Sequence, residues 1–217
     1  MARQYFNFTI RADGLEGKAA FQYEATILGM LHSMETLQTT RALLSGFRAY
    51  HREVLVTPNL LESGEEVCNA YAKSDWGLFR NKILFSPTAY FRDSDCYETG
   101  AGNSPHEVLC HEMVHALRYV AGTNRKHTNK AQEERIAITV TNIFSSEIHR
   151  PLRKKHDGHE PLKDPVMLTS AGYLRAYWKL IALFAQQHPN ISSWLACVET
   201  PFNPLREYYH GQCRKAP

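Results

Sequence analysis

The chain is 217 residues long, 43% hydrophobic and 22% charged, with 25 lysines and arginines against 22 aspartates and glutamates. That composition excludes wholesale disorder and fibrous repeats, and a net charge of +3 with both signs interspersed gives no footing for a nucleic-acid-binding stripe. Eleven histidines are the unusual count and direct attention to metal or proton chemistry.

The N-terminus, MARQYFNFTIRADG, has no apolar stretch after its arginine. A Sec signal is therefore not expected: the chain would be made in the cytoplasm and exported, if at all, without a cleaved leader. Phe6, Phe8 and Ile10 alternate with polar neighbours, a short half-buried strand ending at Asp13-Gly14. From Tyr23 to Phe47 the apolar residues fall at helical spacing, which reads as one or two amphipathic helices with an interruption expected near Thr39-Thr40. Glu53–Thr57 is a strand stopped by Pro58, and Leu60–Leu78 is loop-like. Lys82–Phe91 is a strand whose Pro87 places it at a sheet edge, where it would align an extended substrate. Asp93–Asn103 is another loop.

Ser104-Pro105-His106-Glu107 is a capping box with proline in the first turn, so a helix starts there and runs to Gly122. Asn129–Gln132 opens a second capped helix reaching about Ile148, followed by a basic, histidine-rich loop at Arg150–Asp164. Further helices are expected at Ala171–Gln187, Ser192–Val198 and Pro204–Tyr209. No repeat, linker or run of about 18 apolar residues interrupts this order. One α+β domain over residues 1–217, without a membrane span, is the economical reading. Cys68, Cys96, Cys110, Cys197 and Cys213 are odd in number, widely spaced and lack a CxxC pair, so reduced thiols are expected rather than a disulfide framework.

Within the first capped helix, His111-Glu112-Met113-Val114-His115 is an HExxH sequence. Histidines four apart lie one turn above each other on one helix face and reach a single Zn²⁺. The intervening glutamate holds a zinc-bound water and takes its proton. At this composition chance supplies roughly 0.04 such sequences per chain. A catalytic zinc needs a third protein ligand and an open position. The long HExxHxxGxxH form is excluded, because Arg118 and Ala121 occupy its glycine and histidine places. Candidates downstream are Glu133, Glu134, His127, His149, His156 and His159.

In the gluzincin arrangement the third ligand is a glutamate on the next helix. Here that helix opens with Glu133-Glu134, and Ala137, three residues on from Glu134, lets it approach the zinc helix closely. Adjacent helical residues point about 100° apart, so only one of the two faces the metal. Glu134 shares a face with Ala137 and Ile138 and is expected to be the ligand. Glu133, nearer the exposed helix start, would only complement the helix dipole.

HEMVHALRYVAG followed by EERIAITV resembles the NleD-like effector metallopeptidases, zincins injected by bacterial type III secretion systems. It is also similar to metallopeptidase toxin domains linked to type VI secretion spike proteins. The likeness spans about Leu28 to His159, with LHSMETLQTTRALLSGF and VLVTP matching the lead-in. The resemblance implies a zincin-like fold, a protein or peptide substrate, and export by a specialised secretion apparatus, with an immunity protein as a further partner.

Zincins also use a donor for the developing oxyanion, commonly His, Tyr or Arg. His156 or His159 in the basic loop would supply it, with Tyr208-Tyr209-His210 as an alternative group and Tyr119 expected to be a packing aromatic. The resulting expectation is a zinc endopeptidase holding Zn²⁺ on His111, His115 and Glu134, with Glu112 as general base. Its rival is a catalytically silent zinc-binding module with the same fold.

Overall fold

In the computed structural model, which describes residues 2–74, 81–92, 94, 97, 100–156 and 158–213, β1 (Arg3–Tyr5) and β2 (Phe8–Ile10) form an antiparallel hairpin. Its turn passes through Phe6, left-handed at φ 52° and exposed, so the single strand expected across Phe6 is two. Helix α1 (Gly17–Glu35) buries Tyr23, Ile27, Met30, Leu31 and Met34 along one face, as their spacing requires. Helix α2 (Gln38–Tyr50) buries Leu43, Leu44 and Phe47.

The break between α1 and α2 comes at Thr36-Leu37, three residues before the expected place, and Thr39 and Thr40 lie inside the first turn of α2. The cap explains the shift. No local side chain satisfies the first amides of α2; instead Glu147, from another helix, accepts from the backbone N–H of both Gln38 and Thr39.

Strand β3 (Val54–Thr57) is buried throughout, and β4 (Tyr71–Ser74) and β5 (Asn81–Leu84) complete a mixed five-stranded sheet ordered β1-β2-β3-β5-β4. The strands β2, β3 and β5 are parallel, and β4 runs antiparallel along β5. This corrects the expected edge. The strand predicted over Lys82–Phe91 ends at Leu84 and lies inside the sheet, while Pro87 opens a 3₁₀ turn (Pro87–Tyr90) beyond it. Among the described residues the sheet has edges at β1 and β4, and β4 lies within a stretch expected to be loop, because a half-exposed strand of sequence YAKS carries no apolar alternation.

Helix α3 (Pro105–Val120) packs between this sheet and α4 (Lys130–Glu147) and is buried on every side from Glu107 to Arg118. Both expected capping boxes are present, at Ser104/Glu107 and Asn129/Gln132. Of three further helices, α5 (Ser170–Gln187) packs against α4, α6 (Pro189–Ala196) packs against α2, and α7 (Pro204–Cys213) packs against α5 and α6. Among the described residues no helix is long and apolar enough to cross a membrane. Cys68 is disulfide-bonded, contrary to the expectation of reduced thiols, while Cys110 and Cys197 are free. Separation along the chain does not report proximity in the fold. In the expected loop at Asp93–Asn103, the described residues 94, 97 and 100–103 form no helix or strand, and the rest lie outside the described residues.

Candidate metal centre

His111 and His115 occupy successive turns of α3, with rings 4.8 Å apart, and α4 crosses so that Glu134 meets both. The Nε2 atoms of the two histidines lie 3.2 Å apart, and each is 3.2 Å from Glu134 Oε2. A tetrahedral zinc bound at 2.0–2.1 Å separates its ligand atoms by about 3.3–3.4 Å, so all three edges fit one ion. Hydrogen bonds alone fit less well. If both Nε2 atoms carried protons for Glu134, those protons would face each other across 3.2 Å. Among the described residues His111 Nδ1 is buried without a partner, so packing on α3 fixes this ring.

The electrostatics follow from burial and neighbours. Burial pushes His111 down to about 3, against the Glu134 hydrogen bond. Burial opposes charge on His115 too, but the Glu134 bond and the Glu112 carboxylate outweigh it and raise its pKa. Glu134 loses hydration as well, yet its bonds to both histidines hold it well below the usual carboxylate range.

Glu112 is buried beside the histidines, and burial raises its pKa, moderated by His115 and by a hydrogen bond from the β4 backbone at Ala72. A raised carboxylate in a cleft is suited to moving protons. Because Ala72 directs its amide away from β5, the alternate residues Ala70 and Ser74 present their backbone groups on the same free edge.

His156 Nε2 stands 3.4 Å from Glu134 Oε2, and the ligand atoms of His111, Glu134 and His156 lie within 4.8 Å of one another. Its side chain is about half exposed, and its carbonyl accepts from the buried Arg153, whose backbone is paired with Asn142 of α4. His159 takes a different place. It is tied to Ala101 through both its carbonyl and its ring, and lines neither cleft at this centre. The alternative donors Tyr208 and Tyr209 pack on α7 against Trp178 and Ser192, which removes that group from the site. His149 follows the far end of α4, roughly 20 Å along the helix from Glu134. His127 is an exposed residue with left-handed backbone.

Glu133 departs furthest from expectation. It is 2% exposed, and its carboxylate takes both Nε (2.7 Å) and Nη2 (3.0 Å) of Arg118, itself 0% exposed. Burial would raise its pKa, but the Arg118 and Thr128 bonds and the Arg125 amide bring it below the ordinary value. Arg118 also donates to Gln187 and to the carbonyl of Thr123. The signal was present in the sequence: positions 111, 115 and 118 share one helix face, and an arginine on a buried face demands a carboxylate.

A cleft of about 220 Å³ opens onto Glu112, His115, Glu134 and His156, walled by β4 residues on one side and by Tyr119, Arg125 and Lys130 on the other. Tyr119 therefore lines the cleft rather than only packing the helix. Compared with protein-family models, with curated proteins and with solved structures, the chain matches none.

Proposed function

We propose that the protein is a zinc-dependent endopeptidase of zincin-like fold, with Zn²⁺ on His111, His115 and Glu134 and Glu112 as general base. The observation that carries this is the triangle of three donor atoms with 3.2 Å edges, placed beside a buried glutamate and a free antiparallel edge strand. Zinc held there lowers the pKa of a bound water and polarises a peptide carbonyl.

The chain's own groups supply the rest. The β4 edge pairs with an extended substrate backbone, placing its carbonyl over the cleft. Glu112 accepts the proton of the attacking water and returns it to the leaving amine. His156, held at the rim by the Arg153 contact, donates to the oxygen on which charge develops. The Arg118–Glu133 pair ties α3 to the start of α4 beside this centre. The disulfide at Cys68 suits a chain that meets an oxidising compartment, in line with an exported effector or toxin.

The test measures zinc by mass spectrometry together with hydrolysis of an unfolded protein mixture, with and without chelator. Glu112→Gln should retain zinc and lose about 10²–10⁴-fold in rate. Hydrolysis that survives both chelation and this substitution would refute the proposal, and loss of zinc from Glu112→Gln would reassign Glu112 as a ligand or support.

A further inference from the structure

The cleft beside the metal centre has charged residues on its outer wall, and these are of one sign. Arg125 and Lys130 are exposed, line the same space as Glu112 and Glu134, and have no ion-pair partner among the described residues. Two carboxylates there already have partners: Glu133 pairs with Arg118, and Glu134 bonds to both histidines. A second cleft, about 480 Å³, continues past Glu134 and adds Arg135 and Lys155 to Lys130 and His156. Among the described residues of these two clefts, Arg125 and Lys130 are cations with no ion pair.

Two of these cations sit where local stability disfavours them. Lys130 is the first residue of α4, at the positive end of the helix dipole, where an acidic residue is the favourable choice. Arg125 has left-handed backbone at φ 55°, a conformation that glycine or asparagine adopts at lower cost. It is held there because its N–H donates to Glu133 Oε1 at 2.8 Å. The buried Arg118–Glu133 pair thus also fixes where Arg125 leaves the loop. A compact cleft of 220 Å³ is about 7–8 Å across, or two residue steps of an extended strand at ~3.3 Å each.

We propose that Arg125 and Lys130 form a subsite for an acidic side chain of the substrate, an Asp or Glu within two residues of the bond to be cut. This rests on the endopeptidase reading, since an extended chain paired on β4 would carry its side chains across this wall. Nucleic acid shares the charge complementarity but has no use for a free strand edge. An interspersed +3 chain also offers it little beyond this cleft.

The experiment uses the full-length zinc-loaded protein and matched peptides carrying Glu, Gln or Lys at the residues flanking a common cleavage site. Wild type should favour the Glu peptide over the Gln peptide by about tenfold in kcat/KM, the size of one charge pair at ~6 Å in a partly screened cleft. In Arg125→Asn/Lys130→Gln, which alters two exposed positions and suits the left-handed backbone, that ratio should fall to near one. In parallel, binding of the labelled Glu and Gln peptides and of single-stranded DNA is measured by anisotropy on Glu112→Gln, with and without the double substitution.

Cleavage with no preference for Glu overturns the acidic subsite and leaves the endopeptidase standing. Absence of cleavage, with Glu-peptide binding that the double substitution abolishes, refutes the endopeptidase and upholds the subsite. DNA bound more tightly than the Glu peptide, and lost in the same variant, would overturn the proposal in favour of nucleic acid.

Discussion

Removing Glu133 should do far more than weaken a helix start. Its carboxylate neutralises Arg118, the largest fully buried side chain among the described residues, through bonds of 2.7 and 3.0 Å, and it also takes the Arg125 amide and the Thr128 hydroxyl. Glu133→Ala leaves a guanidinium in the interior without a counter-charge, a change that costs about 3–5 kcal/mol. For a chain of this size that corresponds to roughly 6–20 °C in Tm. A dipole-only role, the expectation from sequence, would cost at most ~1 kcal/mol. Urea and thermal unfolding of Glu133→Ala, Arg118→Met and the double variant separate the two. The double variant should lose at least ~2 kcal/mol less than the sum of the singles, because it leaves neither charge unpaired. Zinc should remain bound to Glu133→Ala under conditions where it is folded, since its oxygens are spent on Arg118, Arg125 and Thr128. A loss within ~1 kcal/mol, or additive singles, would refute the buried clamp.

Glu134→Ala should release zinc on dialysis against a weak chelator; full retention would dismantle the proposed ligand triad. His156→Phe should lower turnover by about 10²-fold with zinc content unchanged, the expected scale for one lost oxyanion donor. Zinc loss from that variant would instead make His156 a ligand, as its 3.4 Å approach to Glu134 permits. His188 is 1% exposed, and burial, then the Arg118 charge, depress its pKa to about 4. The unfolded chain takes up that proton near pH 6.5, so stability is full above about pH 6.5 and falls toward pH 4, by ~3 kcal/mol. His188→Gln should flatten this part of the unfolding-versus-pH curve, and an unchanged slope would show that His188 is not the titrating group.

What the sequence determined by itself is local. Ser104/Glu107 and Asn129/Gln132 set the starts of α3 and α4, because a capping box is satisfied within four residues. The 3.6-residue repeat placed His111 and His115 on one face and turned Glu134, not Glu133, toward them, because helix geometry needs no knowledge of the partner. The strand at β3 was readable locally too, from its β-branched run stopped by Pro58, though not its parallel pairing. Tertiary structure decided everything whose partner lies far along the chain. Glu147, over a hundred residues away, sets where α2 begins. That β4 rather than β5 lies at an edge of the sheet is shown only by the strand order. His156 faces the centre and His159 does not, because Arg153 and Ala101 hold them apart. Glu133 became a buried counter-ion instead of a dipole partner, because α3 is enclosed on every side and Arg118 has no water to turn to. A charge in a low-dielectric interior takes its meaning from what surrounds it, and that is written only in three dimensions.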